Sequence, residues 1–168
     1  MPSADRHLTS YLEESVLRFP ERTAVFDQDG GSLTFAELHR RSDRLAEFLV
    51  EHGVKPGDRV GIVMAKSLIS YTLLWSAIKC GAAYVPVDWT NPPERVAQIL
   101  SDCGVSLILT DPQSPELSGV TATVVVMDPA TFEAVANRAP TGSLPTDLRE
   151  TQVLREIRVQ PETQDLPE

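Results

Sequence analysis

The sequence has 168 residues, enough for one domain with a sizeable core, and its 42% apolar and 23% charged fractions are ordinary for a globular chain. Lys and Arg total 15 against 24 Asp and Glu, a formal charge of −9, which argues against a nucleic-acid surface because phosphate binding needs clustered cations. No apolar run approaches the roughly 20 residues that cross a bilayer, and the opening MPSADRHLTS lacks the apolar stretch of a secretory signal, so neither membrane nor nucleic acid is expected as a partner and a cytoplasmic location is.

The first predicted element is a helix from Leu8 to Phe19, with Leu8, Leu12, Val16 and Phe19 at helical spacing and Pro20 closing it. Thr23 to Asp27 and Ser32 to Phe35 are β-prone runs flanking an Asp29-Gly30 turn, which reads as a hairpin. Thr34 then opens a second helix. Glu37 stands three residues on, giving a capping box, and Leu33 and Leu38 fall at the hydrophobic-staple positions. Leu38, Leu45 and Leu49 form its apolar face, while Arg40, Arg41 and Glu47 are expected to point away from the core. Gly53 follows its end.

Arg59 to Met64 reads as a buried strand after the Lys55-Pro56-Gly57-Asp58 turn. Ser67 caps a helix from Leu68 to about Cys80 that is apolar nearly all round, and Gly81 ends it. Ala83 to Val87 is a strand, moved toward a sheet edge by Pro86. Asn91, Pro92 and Glu94 take the N-cap, N1 and N3 places of a helix ending at Gly104. Val105 to Thr110 and Thr121 to Met127 are two more strands, and Asp128-Pro129 opens a short helix to about Asn137. Alternating helices and buried strands imply an α/β fold: a mostly parallel sheet with helices on both faces, plus the N-terminal hairpin. From this texture residues 1–139 form the α/β unit. Residues 140–168, with four prolines and few large apolar groups, read as a polar tail or linker, with one weak helical stripe from Asp147 to Ile157.

Candidate chemistry is sparse. Cys80 and Cys103 form no CxxC and have no nearby His, so they read as small buried hydrophobes and not as metal ligands or a disulfide. Lys66-Ser67 lies between a strand and a helix, as in a phosphate-binding loop, but Val60 and Ala65 occupy the glycine positions, so Lys66 reads as a solvated loop lysine. Gly53, Gly57 and Gly61 read as a helix end, a turn and a close-packing site. His7, His39 and His52 are scattered, and Lys79 lies in a last helical turn, where a cation is favoured. Asp88 follows a strand, where α/β folds place ligands; it equally suits a turn from Asp88 to Asn91.

Two stretches carry a family resemblance. Leu33-Thr34-Phe35-Ala36-Glu37-Leu38 resembles the first core motif of adenylation domains in nonribosomal peptide synthetases, members of the AMP-binding adenylate-forming ligase superfamily. Ile78-Lys79-Cys80-Gly81-Ala82-Ala83-Tyr84-Val85-Pro86-Val87-Asp88 resembles the second. The flanking GVKPGDRVGIVMAKS and NPPERVAQILSDCGVSLILT also fit, so the resemblance covers residues 8 to 128. The Tyr84 to Asp88 ending followed by NPPERV is closer to amino- or aryl-acid-activating domains than to fatty acyl-CoA ligases. Phe35, Cys80 and Trp89 depart from the usual Tyr, Ala and Pro without touching chemistry.

The resemblance implies the N-terminal subdomain of an adenylate-forming ligase. The full-length family uses ATP and Mg²⁺ to turn a carboxylic acid into an acyl adenylate and loads it on the pantetheine thiol of a carrier protein. Its Ser/Thr/Gly-rich phosphate loop with a Lys is expected just beyond Glu168. Thr34, Glu37, Lys79, Gly81, Tyr84, Pro86 and Asp88 are then structural motif residues; no catalytic, cofactor-binding or metal residue is assigned, and the chain alone is expected to be inactive. Expected partners are the remainder of the enzyme, an MbtH-like helper protein, a carrier protein, and a second copy through an exposed sheet edge. Two other readings stay open. One is a non-catalytic interaction module or the first half of an interrupted domain. The other is an unrelated α/β protein with a small-molecule ligand near Asp88.

Overall fold

The computed structural model describes residues 7–144. The helical stripe expected from Asp147 to Ile157 lies outside the described residues. The chain runs α1 (Leu8–Arg18), β1 (Thr23–Phe26), β2 (Ser32–Thr34), α2 (Phe35–Glu51), β3 (Arg59–Val63), α3 (Leu68–Lys79), β4 (Ala83–Val87), α4 (Pro93–Cys103), β5 (Leu107–Thr110), β6 (Thr123–Val126) and α5 (Pro129–Ala136). β1 and β2 pair antiparallel. The other strands form one parallel sheet in the order β4-β3-β5-β6.

The expected starts and stops have identifiable causes. In the hairpin turn the Asp27 carboxylate accepts from the backbone N–H groups of Asp29 and Gly31 at 3.2 and 2.8 Å. At α2 the capping box is closed in both directions: Glu37 N–H donates to Thr34 Oγ1 at 3.2 Å, and Thr34 N–H donates to Glu37 Oε2 at 2.9 Å. Leu33 and Leu38 are both buried in one small cluster with Leu12. At α5 Asp128 Oδ1 accepts from Thr131 N–H at 2.7 Å. Gly81 ends α3 with φ 75°, a conformation that favours glycine.

Helices cover both faces. On one, α2, α3 and α5 bury Leu45, Leu49, Leu73, Ala77 and Phe132 against β3 and β5. On the other, Val96 and Leu100 of α4 meet Val63 and Ile108. Gly61 of β3 explains how close α4 comes, since a Cβ there would stand 2.7 Å from Leu100 Cδ2. The link from β5 to β6 is a parallel crossover without a helix. Leu117, Val120 and Ala122 of that link pack against the α4 side instead. β4, with Pro86, is an edge strand as its proline requires.

Several expectations are corrected. In α1 only Leu12 of the stripe is fully buried; Leu8 and Phe19 are exposed, because it is Leu12 and Val16 that pack into the cluster with Leu33 and Leu38. Asn91 is not the cap of α4. Its side-chain amide donates to the Asp88 carbonyl at 2.9 Å, and Pro92, held extended by Pro93, becomes the cap one residue later. Glu47 does not point away from the core but is 1% exposed. Its carboxylate accepts from Arg44 Nη1 at 2.8 Å and from the backbone N–H groups of Thr141 and Gly142, each at 3.0 Å. This clamp folds the chain after α5 back along α2 and carries Leu144 into the main core.

Candidate functional site

β3 and β4 leave the sheet toward opposite faces, one into α3 and the other into α4. Adjacent parallel strands that part in this way leave a crevice at their carboxyl ends, the habitual ligand position in open α/β sheets. Here it is a cleft of about 410 Å³. Ile62, Met64 and Val87 form its floor, Tyr71, Leu74, Pro86 and Trp89 its walls, and Lys66 and Asp88 its charged rim. Gln28 reaches it from the hairpin. The equivalent crevice between β3 and β5 is closed by the chain itself. Ser114 Oγ donates to the Val63 carbonyl at 2.6 Å, and Ala65 N–H donates to Asp111 Oδ2 at 3.3 Å.

The rim residues differ in what they are free to do. Asp88 Oδ1 accepts from the backbone N–H and the hydroxyl of Thr90 at 2.9 and 2.8 Å. Those bonds hold its pKa below the ordinary carboxylate value, with a smaller contribution from the charge of Lys66. Asp88 therefore shapes its turn and also borders the cleft, so both sequence readings of it describe part of the arrangement. Lys66 is exposed, as expected of a loop lysine.

The described residues do not fit a nucleotide phosphate. The first donors of α3 are taken by its own serines: Ser67 N–H donates to Ser70 Oγ at 2.8 Å and Ser70 N–H to Ser67 Oγ at 3.2 Å. Val60 is buried inside β3, so the backbone cannot wrap an anion there. Among the described residues no group of three His, Cys, Asp or Glu stands ready for a metal ion, and no helix is long and apolar enough to cross a membrane. Cys80 and Cys103 are free thiols. Burial pushes Cys80 up to about 11, which makes it an unreactive packing group.

The motif residues other than Lys79 occupy four places. Thr34 and Glu37 cap α2, remote from the cleft. Gly81 turns the chain from α3 into β4. Tyr84 is 41% exposed, and Pro86 and Asp88 border the cleft.

Lys79 lies in the last turn of α3, as its sequence position implies, and it is buried there at 6% exposure, with Nζ donating to Asp43 Oδ1 at 2.7 Å, to the His39 carbonyl at 2.9 Å and to His39 Nδ1 at 3.0 Å. Sequence reasoning had no signal for this cluster beyond the i, i+4 spacing of His39 and Asp43 on α2. His39, read as scattered, is one of its members.

An open four-stranded parallel sheet, a preceding hairpin and a cleft at the β3 and β4 ends define an N-terminal subdomain of the adenylate-forming type. The chain belongs to the AMP-binding enzyme family, whose model matches residues 12–165. It is 35% identical over 142 residues to tyrocidine synthase 1 of Brevibacillus parabrevis, covering 82% of this chain and 13% of that protein. Among solved structures it resembles the N-terminal subdomain of Klebsiella oxytoca NpsA, with a TM-score of 0.69 and 26% identity over 83% of this chain and 35% of the other. It also resembles an artificially fused NpsA-ThdA adenylation–PCP di-domain from Klebsiella oxytoca, with a TM-score of 0.67 and 27% identity over 78% of this chain and 24% of the other. The chain thus corresponds to the N-terminal part of a nonribosomal peptide synthetase adenylation domain and spans a small fraction of its relatives' length. The reading as an unrelated α/β binding protein is overturned by this membership.

Proposed function

We propose that this protein is the scaffold portion of an enzyme that activates a carboxylic acid, an amino or aryl acid, with ATP and Mg²⁺ and then loads the acyl group on the pantetheine thiol of a carrier protein. The supporting observation is the family match over residues 12–165, together with the second motif running from α3 through β4 to the cleft. A carboxylate is a poor electrophile at neutral pH, and AMP gives it a good leaving group. That step needs donors, a metal and a cation around the phosphates. Residues 7–144 supply a sheet, a cleft and a capped helix instead, so they act as the platform on which the phosphate-handling part is built, and alone they are inactive. Residues 1–139 are the platform proper, residues 141–144 fold back on it at Glu47, and residues 140–168 lead from it toward that part.

The remainder of the enzyme is the first partner, meeting the platform at the carboxyl ends of β3 and β4. A carrier protein is the second, and an MbtH-like protein docking on this portion is a third. The compartment is the cytoplasm.

ATP–pyrophosphate exchange tests the reading. It is measured on the 168-residue chain and on the longer product of its own reading frame, against amino and aryl acids. Exchange confined to the longer product is the expected result. Exchange by the short chain, or none by the longer one with any acid, would overturn it. Co-purification with a second, unrelated polypeptide would instead favour a non-catalytic module or half of an interrupted domain.

A further inference from the structure

α2 and α3 bury Leu45, Leu49, Leu73 and Ala77 in one core, and beside them Lys79 of α3 makes a buried polar contact with His39 and Asp43 of α2. The Asp43 carboxylate, 2.7 Å from Nζ, favours the charged form of Lys79, which is therefore an ammonium with three protons to donate. It has no lone pair to offer, which makes His39 Nδ1 the acceptor in that pair. The ring proton of the neutral imidazole then sits on Nε2, facing Asp43 Oδ2 at 3.4 Å. All three protons of the ammonium are used in this one arrangement.

We propose that Lys79, His39 and Asp43 form a proton-operated latch between α2 and α3, in which a proton taken from solvent by His39 Nδ1 converts the acceptor of Lys79 into a donor and releases the ammonium from one of its three bonds. The two groups then face each other at 3.0 Å as like charges. The lysine has little room to retreat, because it is 6% exposed.

The surroundings determine the direction. Burial, and then the Lys79 charge, hold His39 below its ordinary pKa, and Asp43 works the other way. Burial likewise lowers Lys79, opposed by Asp43 and by Glu13 of α1, while Arg44 of α2 adds to the lowering. A histidine whose folded-state pKa is depressed favours the unfolded state for proton uptake. The latch therefore contributes its full stability above the ordinary imidazole value, and loses it as the pH falls through and below that value. Lys79 is followed directly by the Gly81 turn and β4, so the segment loosened first is the one that leads to the cleft.

Amide hydrogen exchange of the 168-residue chain between about pH 8 and pH 5 tests this, with wild type beside His39→Gln and His52→Gln. Rates are normalised for the intrinsic pH dependence. Protection over α3 and β4 is expected to fall with pH in wild type and in His52→Gln, and to stay level in His39→Gln, which has no ring nitrogen to take up a proton beside Lys79. Each unit by which His39 is depressed corresponds to about a tenfold loss in the local closing constant once both pKa values are passed. Histidine NMR of wild type gives an independent measurement if the variant fails to fold: His39 is expected as the Nε2–H tautomer, titrating below the ordinary imidazole value. A His39 that titrates like a free imidazole, or protection that falls equally in His39→Gln, overturns the proposal.

Discussion

Gly61 lies in the middle of β3 with Leu100 of α4 in the space its own Cβ would fill, 2.7 Å away. Leu100 is 1% exposed and hemmed in by Val63, Val96 and Ile108, so it has little room to swing aside. Gly61→Ala should cost about 1–3 kcal/mol by overpacking, read as a lower urea midpoint at unchanged slope. Glu47 is a second decisive residue. Replacing its carboxylate by an amide removes one acceptor oxygen from a group that serves two backbone N–H donors and Arg44. Glu47→Gln should cost about 2 kcal/mol and free residues 141–144 to exchange their amide protons. Glu133 gives the contrast. It meets Arg41 at 2.6 Å but is 51% exposed, so Glu133→Ala should cost no more than about 1 kcal/mol in the same denaturation series.

At the scale of elements, the sequence was most legible where a local rule acts alone. Thr34 and Glu37 announced the start of α2, Pro86 an edge strand and Gly61 a close approach. Thr34→Ala leaves the Glu37 N–H without its cap and should cost about 1 kcal/mol, seen as fraying of the first turn of α2 by circular dichroism and exchange. Legibility failed where a residue's environment is set by a distant segment. Glu47 read as surface because its partners, Thr141 and Gly142, lie 94 and 95 residues away. Lys79 read only as a helix-end cation, with its burial and its partners unseen, because His39 and Asp43 stand 40 and 36 residues upstream. Asn91 looked like a cap because capping preference is local, whereas the Asp88 turn that takes its amide depends on where β4 ends. The cleft was half visible. Asp88 and Pro86 could be placed at a strand end, but Tyr71 and Trp89 come to the same wall only once α3 and α4 leave on opposite faces.

For the whole molecule, several carboxylates share one direction. Hydrogen bonds hold Glu37, Asp88 and Asp128 below their ordinary values, and the Arg41 hydrogen bond does the same for Glu133. Burial would raise Glu47, but the Thr141 and Gly142 N–H groups and Arg44 together outweigh it, so it too is lowered. An unfolded chain binds protons first at such groups, so their contribution is present above about pH 4–4.5 and is lost as the pH falls below it. The urea midpoint should therefore drop steeply from about pH 5 to pH 3, and Glu47→Gln should flatten that slope. The two sheet edges also differ. β4 carries Pro86, while β6 presents Val124 and Val126 at 43% and 49% exposure with no strand beyond it among the described residues. Two copies of this chain should associate through β6 at high concentration, and Val126→Lys should return them to monomers by light scattering with little change in urea midpoint.

The strand order β4-β3-β5-β6 has a consequence for biosynthesis. β3 leaves the ribosome first of the four, and it becomes an inner strand. β4 then adds to one side of it, β5 to the other, and β6 to β5. Each newly translated strand finds its neighbour already in place, and no slot in the middle of the sheet waits to be filled. The nascent chain can thus grow its sheet outward from a seed, and the interval in which an unpaired inner strand is open to other nascent chains is short.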